Sequence, residues 1–424
     1  MFLVDGLGVI VKAIRSLYNR RMRAVLLTSF ASGLPIALTG STLQAWYTES
    51  NVNLMTIGLL SLVGLPYLLK VLWAPLMECY VPFKGGKRAV WMMVWQSCIA
   101  SCLWIMSYLS PATVPDLIAA VALVVAFASA SQDVVIDAYR TDISRSSERG
   151  FAAALLSIGY RFAMLVSGAF ALVIASTMGW VVAYRLMALC MFINVVVSYY
   201  LPRAPNELNR PASLKEAVVE PIVDFLRRDH VLLLLTFMVL YKIADALALA
   251  LNTTFLLRGV GFDLVTVGLW SKTIGLAATL IGGVVGGLLY PWLGLYRSLF
   301  VFGFLQMSSN LLFAALAIVG KSHALLIVSI FSDYFCGGVA TIAFVAFLMS
   351  LCHQRYSATQ YALFSAIASV GRIICGPLAA SMVSVVGWAP FFVISFLVGL
   401  PSLWLLVILK HYNYFEINPV LSTS

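Results

Sequence analysis

Charged residues are scarce in this chain: they make up 10% of its 424 positions, against the roughly 25% that keep a soluble domain in water. That shortage excludes an ordinary soluble protein. Histidine is rarer still, with only His230, His323, His353 and His411, each near the end of an apolar run. No His/Cys cluster has metal-ligand spacing, so no bound metal is expected. With no histidine in the middle of a run, an intramembrane enzyme lacks the base that such chemistry needs, and no catalytic residue is expected. The seven cysteines all lie in or beside apolar runs, which leaves none for a structural disulfide on the outer side. A cleavable signal pattern is missing too. The start is a basic amphipathic lead-in carrying Lys12, Arg15, Arg20, Arg21 and Arg23.

What the chain has in abundance is apolar length. Hydrophobic residues are 62% of the total and the mean hydropathy is +0.97. A membrane span needs about 20 mostly apolar residues, and this rule places spans near 24–48, 55–78, 89–109, 115–138, 150–174, 180–201, 231–257, 264–290, 296–318, 323–351, 357–385 and 388–409. Lys and Arg sort by side. The N-terminus, alternate loops and the C-terminus hold nineteen, the opposite loops hold only Arg258 and Lys321, and six (Lys70, Arg161, Arg185, Lys242, Lys272, Arg372) fall inside spans. This bias predicts that both termini are cytoplasmic. It also accounts for the net charge of +10 without any nucleic-acid partner.

The chain repeats itself. Thr56-Ile57-Gly58-Leu59-Leu60-Ser61 recurs 210 positions later as Thr266-Val267-Gly268-Leu269-Trp270-Ser271. The same offset relates Ser147 and Phe151-Ala152 to Ser357 and Tyr361-Ala362, and Gly179-Trp180 matches Gly387-Trp388 at 208. Two six-span halves in parallel orientation are the pattern of major facilitator transporters. The expectation is therefore an all-α membrane protein of the major facilitator fold, with about 12 transmembrane helices in two pseudo-repeats. The halves are expected at 1–201 and 231–424, joined by a charged, Pro-rich cytoplasmic linker at 202–230. Glu78 followed by Gly85-Gly86-Lys87-Arg88 resembles the acidic-plus-basic loop motif of major facilitators. With Arg140, Glu78 and Arg88 are the expected gating salt-bridge residues.

An ionisable group at mid-bilayer costs at least about 2.5–3.5 kcal/mol and must face a wet cavity or a partner. The acidic residues so placed are Asp133, Asp137, Asp245 and Asp333, the expected proton-coupling set. Asp133, Asp137 and Arg140 stand at i, i+4 and i+7, one stripe of a helix. They read either as a coupled carboxylate pair tuned by a cation or as a salt bridge closing a helix end. Lys242 and Asp245 are i, i+3 neighbours, either a buried structural pair or one that exchanges partners. Arg161 shares a face with Ser157, Met164 and Gly168, and Arg372 with Ser365, Ser369 and Gly376. Each Arg offers a fork for a carboxylate or closes a bundle against an Asp. Six basic and four acidic intramembrane groups leave two excess positive charges, which favour an anionic solute. Trp46, Tyr47, Trp73, Tyr160 and Tyr241 are placed to stack on sugar rings, or serve as packing and belt residues.

The blocks Ser32-Gly33-Leu34-Pro35, Thr39-Gly40-Ser41-Thr42-Leu43-Gln44-Ala45-Trp46, Thr56-Ile57-Gly58, Leu65-Pro66-Tyr67 with Lys70, and Trp73-Ala74-Pro75-Leu76 resemble the AmpG family of muropeptide permeases. So do Ser131-Gln132-Asp133, Ile136-Asp137-Ala138-Tyr139-Arg140, Gly159-Tyr160-Arg161, Tyr241-Lys242 with Asp245-Ala246, Gln306 with Ser309-Asn310, and Ala358-Thr359-Gln360-Tyr361-Ala362-Leu363. Asp333 stands where the family pattern leads one to expect Glu, and the chain stops after the twelfth span where some members continue. The resemblance implies proton-driven import of anhydro-muropeptides from periplasm to cytosol, without a cofactor, across the bacterial inner membrane. It also implies a role in peptidoglycan recycling and β-lactamase induction. The expected solute-binding residues are Arg161, Arg372, Lys242, Gln132, Tyr160, Tyr241, Trp46, Gln44 and Lys70, in a monomer surrounded by lipid. Distant resemblance to acetyl-CoA transporters keeps another large anionic solute as the alternative. A channel fits the repeat and the buried titratable groups less well than alternating access does.

Overall fold

In lipid every backbone N–H and C=O must be satisfied within the chain, which leaves helices and closed barrels as spanning structures. The computed structural model describes residues 19–74, 77, 87–143, 149–202, 223, 225, 230–351 and 357–412, and among them there is helix but no strand. Among the described residues, ten helical runs are long and apolar enough to cross a membrane. In order, the helices are α1 (Arg20–Glu49), the short apolar α2 (Leu54–Leu69), α3 (Lys87–Met106) and α4 (Pro115–Ile143). Then come α5 (Arg149–Leu165, continuing as Ala171–Met178), α6 (Trp180–Tyr199) and α7 (Val231–Gly259). The run Leu264–Val319 bends at Gly294, whose φ of 70° and ψ of 172° are not helical. Its two arms are α8 (264–293) and α9 (295–319). They are followed by α10 (His323–Ser350), α11 (Ser357–Val386) and α12 (Trp388–His411).

The chain forms two compact units. One comprises Met1–Ser50 with Val63–Arg210, the other Asn51–Leu62 with Pro211–Ser424. In the first, α1 lies against α5 so closely that a Cβ on Gly33 would stand 2.5 Å from the Tyr160 carbonyl oxygen, and one on Gly159 would stand 2.6 Å from that of Leu26. Only glycine permits this approach, a common device where lipid provides no hydrophobic drive between helices. Hydroxyls along α1 turn back on their own helix, with Thr28 Oγ1 donating to Ala24 O at 2.8 Å and Ser29 Oγ to Val25 O at 2.6 Å. The second unit is built on an aromatic core in which Phe237, Tyr241, Phe344, Phe347 and Phe364 meet.

The repeat is present in the backbone. Asn53 caps the start of α2 by accepting from Met55 N at 2.8 Å, and Asp263, 210 positions on, caps α8 by accepting from Thr266 N at 2.9 Å. Gly179 and Gly387 precede α6 and α12 at φ of 87° and 79°.

The expected span 55–78 departs from a regular helix. It begins as α-helix at Leu54–Leu59, tightens to a 3-10 helix at Leu60–Gly64, returns to α-helix at Leu65–Leu69 and tightens again at Lys70–Leu72. Pro66 is the cause at hand: it has no N–H to give Leu62 O, and its ring crowds that carbonyl. Wider π-turns interrupt α5 at Val166–Phe170 and α8 at Val267–Ile274.

Candidate functional site

Each unit carries its own polar cluster inside the apolar helices. In the first, three successive residues of α4 tie it to its neighbours. Ser131 Oγ accepts from Trp73 Nε1 at 3.0 Å, Gln132 Nε2 donates to Ala31 O at 2.9 Å, and Asp133 Oδ1 accepts from Ser32 Oγ in a short hydrogen bond. Lys70 and Asp137 are within electrostatic reach of Asp133. The stripe expected on α4 divides here. Asp133 is partly buried against α1, whereas the Asp137 side chain is 55% exposed and pairs with Arg140 at 3.1 Å. The geometry at Asp137 is that of a salt bridge near a helix end, where an exposed pair contributes about 0–1 kcal/mol.

Arg161 is partly buried on α5, its Nε donating to Ser157 Oγ at 3.4 Å. Tyr160 beside it presents its backbone to Gly33. Trp46 is 4% exposed, stacked on Trp180 at 5.5 Å and tilted on Tyr184 at 4.8 Å. Gln44 is buried one turn from Thr48, which donates to its carbonyl at 2.6 Å. Arg88 is buried at the start of α3. Glu78, expected to act with it, lies outside the described residues.

In the second unit the clustering is tighter. Gln306 of α9 donates from Nε2 to Asp245 Oδ1 of α7 at 2.9 Å and faces Asp333 Oδ1 of α10 at 3.5 Å. Ser309, almost one turn along α9, lies 3.0 Å from the same Asp333 oxygen. Gln306, Ser309 and Asp333 are all buried. On the other side of Asp245, Lys242 feels the charges of both Asp245 and Arg372, and its Nζ sits 5.2 Å from the Phe344 ring centre. Arg372 is exposed on α11. Polar groups thus run from Arg372 through Lys242 and Asp245 to Gln306 and Asp333, across four helices. Tyr241 is turned into the core, its ring parallel to Phe344 at 5.2 Å and its hydroxyl donating to Leu299 O at 3.1 Å.

The sequence places Asp245 beside Lys242 but gives no reason to join it to Asp333. Ser32, Gln306 and Ser309, the residues that hold the carboxylates, stand among the family-like blocks without an assigned role. The signal that finds them is a polar side chain in an apolar run, read together with fold topology. Among the described residues no group of three or more His, Cys, Asp or Glu could hold a metal ion.

A model of the Major Facilitator Superfamily matches residues 25–375. Over 407 residues the chain is 43% identical to the anhydromuropeptide permease of Escherichia coli (strain K12), spanning 96% of this chain and 83% of that protein. It is 29% identical over 406 residues to putative transporter AmpG 1 of Rickettsia bellii, covering 93% of this chain and 99% of that one. Among solved structures, the peptide transporter POT in complex with alafosfalin superposes with a TM-score of 0.68 at 14% identity, covering 93% of this chain and 95% of that one. The nucleoside transporter NupG gives 0.66 at 14% identity over 92% and 99% of the two chains. At such identities these likenesses concern the fold alone.

Proposed function

We propose that this chain, which belongs to the major facilitator superfamily and within it to the AmpG family of permeases, imports anhydro-muropeptides across the bacterial inner membrane. The observation that carries the reading is the 43% identity over 96% of the chain to a protein named for that solute. The chemistry supports it. A muropeptide joins sugar rings to a peptide with free carboxylates. Arg161 and Lys70 in the first unit, and Lys242 and Arg372 in the second, supply cations for those carboxylates. Both signs of charge stand within apolar helices, as a carrier that binds an anion and answers to protons requires. We take the driving force to be the proton gradient, with Asp133, Asp137, Asp245 and Asp333 as the carboxylates available to it and no cofactor. The working unit is a monomer in lipid with no nucleic-acid partner, both termini cytoplasmic and halves at 1–201 and 231–424 about the linker at 202–230.

Uptake into proteoliposomes tests this reading. Radiolabelled anhydro-muropeptide should accumulate when a proton gradient is imposed and should not be displaced by excess acetyl-CoA. Accumulation of acetyl-CoA instead, or indifference to muropeptide, overturns it.

A further inference from the structure

The cluster in the second unit is short of one hydrogen. Ser309 has a single hydroxyl proton, yet its Oγ stands 2.7 Å from the Gln306 carbonyl oxygen and 3.0 Å from Asp333 Oδ1, two groups that can only accept if Asp333 is ionised. Of the two Gln306 Nε2 hydrogens, one serves Asp245 Oδ1 at 2.9 Å and the other reaches Asp333 Oδ1 only at 3.5 Å, a long and weak bond. The Gln306 side-chain oxygen is buried without a partner, in a residue only 7% exposed. That leaves too many acceptors for the donors present, around two carboxylates that share one amide.

A proton on Asp333 supplies the hydrogen missing between its carboxyl and Ser309. Its O–H donates to Ser309 Oγ, and the Ser309 hydrogen goes to the Gln306 carbonyl, the usual bond of a serine to the turn before it. Asp333 Oδ1 keeps a lone pair for the distant Gln306 amide. Asp245 accepts from that amide and lies within electrostatic reach of Lys242. Two ionised carboxylates at this depth would repel each other with little water to screen them.

Among the described residues no cation pairs with Asp333. Asp245 faces it from α7, while Tyr334 and Cys336 of its own helix are the other titratable groups that feel its charge. The π-turn of α8 packed on α10 carries Lys272, and α11 carries Arg372. Asp133 differs, because Ser32 gives its hydrogen to it and Lys70 lies near.

We propose that Asp333 carries the coupling proton, held by a relay through the Ser309 hydroxyl, with Gln306 clamping Asp245 beside it. This rests on the proton-driven reading above. On protonation a proton leaves hydronium for Asp333 Oδ1, and the relay reverses when that proton departs to the other side.

The test uses the full chain in proteoliposomes and two readouts: gradient-driven accumulation of anhydro-muropeptide, and its exchange across the membrane with no gradient. Wild type that exchanges without responding to a gradient defeats the proton-driven reading itself. If wild type responds, Asp333→Asn should exchange yet fail to accumulate, and Asp333→Glu should still accumulate. Asp333→Asn that concentrates solute overturns the proposal. Ser309→Ala gives an independent sign. Loss of an acceptor for the Asp333 proton moves the pH profile of uptake to lower pH, whereas loss of a mere donor to an ionised carboxylate moves it to higher pH. The second shift, or none, overturns the relay.

Discussion

Arg161 and Arg372 stand at matching places in α5 and α11, and neither forms an ion pair with a carboxylate among the described residues. A guanidinium in such a setting is available to a carboxylate of the solute. Removing one charged hydrogen bond costs about 1.5–3 kcal/mol, roughly ten- to a hundredfold in affinity. Arg161→Gln and Arg372→Gln should each weaken muropeptide binding by that amount in a direct binding assay while the protein still reaches the membrane. Wild-type affinity would make both packing residues. The arginines and the four carboxylates were legible in the sequence because a charge inside an apolar run is costly and therefore rare. Their holders were not, since Ser32, Gln306 and Ser309 are common helix residues until the fold brings a carboxylate from a distant helix against them. Tyr241 and Trp46 are buried against other rings: the residue types suit a sugar, but whether a ring faces a cavity or a core depends on helix rotation, which composition does not fix.

Helix ends show how an element is specified. Asp263 caps α8 with two bonds, from Thr266 N at 2.9 Å and from Thr266 Oγ1 at 2.6 Å. The hydrogen bonds from the Thr266 hydroxyl and backbone hold its carboxyl below the usual carboxylate range. Because the folded value is depressed, the stabilisation is present above the unfolded pKa of about 3.9 and is lost as pH falls through the folded value. Asp263→Ala should cost about 1 kcal/mol, read as a lower unfolding midpoint in detergent near neutral pH. Asp263→Asn should keep most of the stability, as Asn53 already fills the matching cap in the other half, and should lose the acid-side dependence. Equal behaviour of Ala and Asn would deny the cap any part in holding α8. The sequence located most helices to within a few residues, for instance 180–201 against the observed Trp180–Tyr199, because apolar length is set by bilayer thickness. It did not show the tightening of α2 or the π-turns of α5 and α8. Those depend on local carbonyl partners, such as the one Pro66 denies Leu62, and hydropathy does not register them.

At the scale of the whole molecule, orientation follows from where positive charge can cross during insertion. Nineteen Lys and Arg lie on one set of segments and two on the other, and segments rich in Lys and Arg stay on the cytoplasmic side. The repeat constrains the same outcome. Caps at Asn53 and Asp263, and left-handed glycines at Gly179 and Gly387, recur in the two halves in the same chain direction. Parallel repeats of this kind need an even number of crossings in each half, so that the second enters from the side the first entered. An even total in turn puts the two termini on one side, and the basic residues at the start of the chain predict that this side is the cytoplasm. The turn between α1 and α2, where Asn51 is exposed at a φ of 56°, is then expected on the periplasmic side. A phosphatase reporter fused after Ser424 should be inactive, and one inserted at Asn51 active. Activity at the C-terminal fusion would mean an odd number of crossings, breaking the parallel repeat and the transporter architecture drawn from it.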